Sequence, residues 1–492
     1  MQLQFSHVSY TYPQASLTAL HDVSLTFTSG WTGIVGDNGC GKTTLAKIAC
    51  GLLRPDEGHV TANLFSAYCQ QDASQAPDNL FDFAADWSTP AQKLRHQLLI
   101  DDEWIWRYDT LSGGQQKRLQ IACALWSEPD LLVMDEPTNE LDARTRIIVS
   151  NALSHFDGIG LLISHDKTLL NTLCTQCVLF ENATFVARPG TYEQAYLQAQ
   201  RDHSFLVRQH DKVQREAKRI ETEALRRQQE AQKSAQKRSG RKLDMHDADA
   251  REKRGRAIVS GKDGVAGKLS ATMNARLDKA QDLLKESSIP NRYNAQFKTY
   301  GIASSKPILA HLDACIIGDG GFALHVPELW VERYDHVIIS GDNGCGKSLL
   351  IKELLKHVGN DISVAYLPQK VDEDIQTQTL QQLSALPTKC QGDVLAIVGN
   401  LNSDPKRILD GKTLSPGELK KLSLALQLVN NPNLIVLDEP TNHLDMGSID
   451  ALTQLLQTFS GAYILVTHDQ SLIQTLHATR WNITENHLTV CL

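Results

Sequence analysis

Gly36-Asp37-Asn38-Gly39-Cys40-Gly41-Lys42-Thr43 follows the apolar pair Ile34-Val35 and precedes a helix-like run from Leu45 to Ile48. The stretch fits G-x-x-x-x-G-K-[ST], and each residue type answers a physical demand. Glycines let successive backbone N–H groups turn inward around a phosphate, and the helix start behind them adds positive potential. Lys42 reaches the outer phosphates, and the Thr43 hydroxyl can ligate Mg²⁺. A nucleoside triphosphate is the expected guest, held by Gly36 through Thr43 with Thr44 beside them. A glycine-rich turn carrying a surface lysine would account for one such match. It does not account for two, and Gly341-Asp342-Asn343-Gly344-Cys345-Gly346-Lys347-Ser348 repeats the stretch after Val337, Ile338 and Ile339.

At 492 residues the chain exceeds the size at which single cores stop growing, so two domains and a connector are expected. The 41% hydrophobic content suits a globular protein, and no apolar run approaches the roughly 20 residues of a bilayer crossing, so membrane insertion is not expected. The start, Met1 to Phe5, lacks the basic end and apolar core of a secretory signal, which favours a cytoplasmic address. Of ten cysteines only Cys174 and Cys177 form a close pair. Without a second pair at zinc spacing, they read as core packing.

From Leu3 to Phe27 the apolar residues alternate as in strands, and Tyr12 sits where an aromatic could stack on a base or simply belong to the sheet. Gln71 closes the strand-like Tyr68-Cys69-Gln70, and Gln369 closes Tyr366-Leu367-Pro368; either amide can hold a metal or an attacking water. Leu111-Ser112-Gly113-Gly114-Gln115 opens a helix and offers a second anion-binding start. Leu131 to Met134 is an apolar strand ending in Asp135-Glu136, and Leu434 to Leu437 ends likewise in Asp438-Glu439. Neighbours on a strand point to opposite faces, so the two acids of each pair serve different ends. The first can hold Mg²⁺; the second can orient or deprotonate water. His165 and His468 each follow a further apolar strand. The loop lysines lie 305 positions apart, while the Ser112/Ser415, Asp135/Asp438 and His165/His468 pairs each lie 303 apart. Two copies of one α/β domain are the economical account.

These residues, in this order and in both halves, resemble the ATP-binding cassette ATPases. The resemblance implies two phosphate-loop α/β domains that close head to tail, so that each ATP lies between one half's loop and the other half's Ser-Gly-Gly turn. One site would join Lys42, Thr43, Gln71, Asp135, Glu136 and His165 to Ser415 and Gly417. The other would join Lys347, Ser348, Gln369, Asp438, Glu439 and His468 to Ser112, Gly113 and Gly114. In both, the glutamate, histidine and glutamine would be catalytic, and Thr43, Asp135, Ser348 and Asp438 would hold Mg²⁺. Both halves share one chain, no span is visible, and Thr441-Asn442-His443-Leu444-Asp445 follows the second acidic pair. This resembles the ABC-F branch, twin-cassette ATPases that mostly act on ribosomes in translation or antibiotic resistance. Such a protein is expected to be a monomer whose two cassettes pair with each other. The rival readings are the ATP-binding subunit of a transporter with a separate membrane protein, and a DNA-repair or chromosome ATPase. Two departures stand out: Pro416 replaces a glycine of the second turn, and Glu140 stands where the second half has His443. Proline offers no N–H, so unequal sites are expected.

Expected boundaries are 1–198 for the first domain, 199–295 for a helical linker and 296–492 for the second domain. Between Arg201 and Glu286 lie 22 Lys and Arg against 14 Asp and Glu, in a chain of formal net charge −8. Val213, Ala217, Ile220 and Ala224 recur at helical steps, and Met273, Leu277, Ala280 and Leu284 repeat them. Such narrow stripes suit two helices zipped antiparallel as a coiled coil. Glycines between about 239 and 268 break the helix among Arg241, Lys242, Arg251, Lys253, Arg254, Arg256, Lys262 and Lys268, which predicts a basic tip. Basic runs attract phosphate backbones. With the family resemblance, the expected partner of this linker is the ribosome, through rRNA and tRNA. The Gln71–Leu111 segment is short and leaves little room for the extra arm some members of that family insert there.

Overall fold

The computed structural model describes residues 1–13, 18–61, 64–139, 141–181, 183–238, 262–286, 300–319, 322–369, 373–409 and 414–491. The chain forms two compact units: Met1–Tyr196 together with Arg292–Leu492, and Leu197–Asn291. Glu140 and the basic cluster from Arg251 to Arg256 lie outside the described residues.

In the first half, a six-stranded sheet runs in the order Ser66–Cys69, Leu131–Asp135, Ile159–Ile163, Gly30–Val35, Cys174–Glu181 and Thr184–Pro189. All neighbours but the last pair are parallel. Strands buried on both faces read as continuous apolar runs, and Leu131–Asp135 and Ile159–Ile163 are buried at every position. The second half repeats the order within an eight-stranded sheet: Val364–Leu367, Leu434–Asp438, Ala462–Val466, His336–Gly341 and Thr479–Thr484. The duplication inferred from spacing is therefore a duplication of topology. Register aligns Asp135 with Ile163 and Asp438 with Val466. In each half this brings the strand-end acids, the loop after the central strand and the histidine to one carboxyl edge, where open parallel sheets bind ligands.

A separate antiparallel sheet, Leu20–Thr28, Gln2–Tyr10 and Glu57–Thr61, covers the first core. Cys174 and Cys177 are buried beside Gly33, and a Cβ there would meet their sulfurs at 3.2 and 3.3 Å. They fill space in the core. In the helical unit, helices span Tyr192–Arg238 and Lys262–Glu286. Ala217, Ala224 and Ala280 are buried, while Val213, Ile220, Met273, Leu277 and Leu284 are half-buried, so the covered face is the predicted stripe.

Candidate nucleotide sites

Each phosphate loop ends in a left-handed glycine that starts a helix: Gly41 (φ 100°) before Lys42–Ala49, and Gly346 (φ 94°) before Lys347–Lys356. A Cβ at Gly41 would stand 2.6 Å from the Ala19 carbonyl oxygen, so glycine is needed for space as well as for φ. The loop lysines hold the loops closed in matching ways. Lys42 Nζ donates to the carbonyls of Gly36 (2.7 Å) and Asp37 (3.0 Å), and Lys347 Nζ to those of Gly341 (2.7 Å) and Asp342 (3.0 Å). Behind them, Thr43 donates to Asp135 Oδ2 at 2.9 Å and Ser348 to Asp438 Oδ2 at 2.6 Å. Hydroxyl and carboxylate thus form an oxygen pair suited to a hard divalent cation. Tyr68 also donates to Asp135, at 2.9 Å.

Glu136 and Glu439 follow those aspartates with φ of 49° and 47°, a conformation that non-glycine residues hold only when their surroundings enforce it. Here the enforcement is visible, because their N–H groups donate to Ile163 (2.8 Å) and Val466 (2.9 Å) on the adjacent strands. Each lies 3.4 Å from its histidine, His165 or His468, and each leaves one buried oxygen, Oε1, without a hydrogen-bond partner. Burial pushes Glu136 up to about 8 and Glu439 up to about 7, against the pull of Lys42 and Lys347. Burial and the same lysines push His165 down to about 3 and His468 to about 4, so both imidazoles are neutral near pH 7. Buried carboxyl groups of raised proton affinity next to phosphate loops fit residues that orient a water against a bound nucleotide.

The two halves meet at these loops. Asn38 Nδ2 donates to the His443 carbonyl at 2.9 Å, Asn402 Nδ2 to Asp37 Oδ1 at 3.1 Å, and Gln71 Nε2 lies 3.3 Å from His443 Nδ1. Gly417 packs so tightly that a Cβ would meet the His443 oxygen at 2.4 Å and Asn38 Nδ2 at 3.4 Å. The second half's turn therefore stands opposite the first half's loop. Toward the second loop, the first half brings Asp142, which accepts from the Asn343 N–H, and Ala143, which lines the same recess as Gly341 to Cys345. Gly114 has Leu141 of its own half as neighbour. Contact of Ser112 and Gly113 with the second loop is not among the described interactions. A cavity of about 410 Å³ lies between the halves, lined by Glu136, Arg146 and His165 from one and Asn442 and His468 from the other.

Both turn serines are helix N-caps. Ser112 pairs with Gln115 and Ser415 with Glu418 in capping boxes, with Pro416 at the first helical position, as its geometry requires. Tyr12 is partly exposed, edge-on to Tyr10, and its hydroxyl lies 3.1 Å from that of Thr44. Gln369 is exposed just past Val364–Leu367. Sequence reading missed the buried lysines behind each turn. Lys117 Nζ donates to the Gln70 and Gln71 carbonyls at 2.8 and 3.0 Å, while Lys420 Nζ donates to the Glu439 carbonyl at 3.1 Å. Their one available signal was a lysine recurring at the same offset from each serine.

Comparison with known proteins gives a match to the family model described as ABC transporter, over residues 20–139 and 324–442. Among similar proteins, the erythromycin resistance ATP-binding protein MsrA of Staphylococcus epidermidis is 27% identical over 466 residues, covering 92% of this chain and 91% of that one. The ribosome protection protein VmlR of Bacillus subtilis is 26% identical over 472 residues, covering 92% and 82%. Among solved structures, a model of ribosome-bound archaeal Pelota and ABCE1 superposes with a TM-score of 0.61 at 18% identity, covering 98% of this chain and 77% of that one. That likeness is one of fold.

Proposed function

Because the chain belongs to the ATP-binding cassette ATPases, in their ABC-F branch of twin cassettes on one polypeptide, we propose that it closes on two ATP molecules to act on the ribosome. It is an ATP hydrolase. The observation that carries the composite-site reading is the wall that Gly417, His443 and Asn402 build against Asp37 and Asn38 of the other half.

In this reading the glycine loops bind the phosphates through backbone N–H groups, and Lys42 and Lys347 exchange loop carbonyls for phosphate oxygens. Glu136 and Glu439 orient water and accept its proton, and their raised proton affinity suits that task near neutral pH. His165 and His468, uncharged, hold that water or the terminal phosphate by hydrogen bonds; Gln71 and Gln369 border the same space. Thr43 with Asp135, and Ser348 with Asp438, would hold Mg²⁺, which neutralises charge on the phosphates when bound. Ser112, Gly113 and Gly114 close the second site when nucleotide draws the halves together. Tyr12 offers a partly exposed ring to the base at the first site.

The ribosome reading draws on the similarity to the ribosome protection protein VmlR and the erythromycin resistance protein MsrA, and on the basic linker sequence. The protein acts in the cytoplasm as a single chain, touching rRNA and tRNA through that linker. No described helix is long and apolar enough to cross a membrane. Co-sedimentation of the Glu136→Gln, Glu439→Gln double variant with ribosomes tests the proposal. ATP-dependent retention is expected; retention on membranes or DNA and not on ribosomes would overturn it.

A further inference from the structure

The second turn is a poor anion site by composition. Pro416 removes one N–H, and Glu418 places a carboxylate where the first turn has the neutral amide of Gln115. That carboxylate is held in place, accepting from the Ser415 N–H at 2.9 Å and from the Ser415 hydroxyl at 2.8 Å. A nucleotide on the first phosphate loop would face this negative charge.

Arg407 offsets it. Its Nη1 lies 3.7 Å from Glu418 Oε1, and the same guanidinium reaches across to the other cassette. A Cβ on Gly39, at the tip of the first loop, would meet Nη1 at 3.0 Å and Nη2 at 3.3 Å. Asn402 binds Asp37 of the same loop, so this is a two-point contact. Among the described residues the second loop meets Asp142 of the first half but no cation at its tip. At Gly344, which has nearly the same φ as Gly39 (81° against 79°), no described atom comes within 4 Å of the corresponding point.

We propose that Arg407 is a positioning residue supplied in trans to the first nucleotide site, restoring at the loop tip the positive charge that Pro416 and Glu418 take from the turn. The inference rests on the reading that ATP lies between the first loop and the second turn. Arg407 makes the two sites unequal at the loop tip: the first loop meets a cation from the opposite cassette there, whereas among the described residues the tip of the second meets none and Arg146 acts deeper, beside Glu439 and His468.

The test is equilibrium titration of the full-length chain with a fluorescent ATP analogue. Lys347→Met leaves the first site to be read, and Lys42→Met leaves the second. In the first background Arg407→Ala should weaken binding on the order of tenfold, as expected for loss of a charge-assisted contact, and Arg407→Lys should recover most of it. Adding Glu418→Gln to Arg407→Ala should also recover affinity, because the uncompensated carboxylate is gone. A merely structural role would not give that rescue. In the second background Arg407→Ala should change nothing. Unchanged affinity at the first site, an equal loss at both, or no rescue by Glu418→Gln would overturn the proposal. Arg407→Gln replaces the alanine variant should the latter fail to fold. A wild-type chain that binds no nucleotide would sink the composite-site reading beneath it.

Discussion

Gly417 shows how little room a shared site leaves. Its missing Cβ would overlap the His443 carbonyl at 2.4 Å, a backbone atom that cannot rotate aside. Both residues belong to the second half, so Gly417→Ala should strain that half by about 1–3 kcal/mol, as overpacking does elsewhere, lowering the melting temperature, and should also lower ATP turnover, because the displaced His443 carbonyl is the acceptor for Asn38. Steady-state hydrolysis and a thermal melt check this together. For the buried glutamates, Glu136→Gln and Glu439→Gln should each cut turnover at their own site by about 10²–10⁴. Their effects on total ATPase should be unequal, and equal losses would count against asymmetric sites. What sequence revealed at this scale was whatever lies within one local motif: the loop lysines, the strand-end acids and the histidines. Arg407, Asn402 and Arg146 were not legible. Each is a single polar residue in an unremarkable context, and what it meets in the other half is set only when the halves come together: the first loop for Arg407 and Asn402, the surroundings of Glu439 and His468 for Arg146.

At the scale of elements, the helix from Pro416 is anchored by charge as much as by its apolar face. Lys421 Nζ donates to Ser403 Oγ at 2.9 Å and lies 3.5 Å from Asp445, which caps Met446–Thr458. Lys421 and the Ser448 hydrogen bonds hold the buried Asp445 carboxyl below the usual aspartate range, outweighing its burial. A depressed folded-state value gives stability that is present above the unfolded value and is lost as pH falls through the folded one. Melting temperature should thus fall with acidification below about pH 4 more steeply in the wild type than in Asp445→Asn. Parallel slopes for the two proteins would refute this. The strands here were readable because burial on both faces writes an unbroken apolar run, as in Leu131 to Met134 and Leu434 to Leu437. The helical stripes were readable because narrow coverage leaves a narrow pattern. The pairing of strands across sheets was not, since nothing in a five-residue run names its neighbour.

For the whole molecule, the sequence sets a cationic linker in an otherwise acidic chain. Replacing Arg251, Lys253, Arg254 and Arg256 with Gln should weaken ribosome association and flatten its dependence on salt, because fewer counterions are released per binding event. Co-sedimentation across a potassium series reads both. An unchanged slope would place the RNA contact elsewhere. The fold class followed from repeated motifs at one offset, whereas the head-to-tail facing of the lobes came only with the family resemblance, because it depends on surfaces assembled from distant segments.

The hydrogen bond from Asn38 to His443 spans 405 positions of chain. A ribosome extending its product by roughly 5–20 residues per second needs about 20–80 s to travel that distance. During this interval the newborn N-terminal cassette has its lysine loop but no opposing wall, so the machine that this protein is proposed to serve also times when it first becomes able to shut.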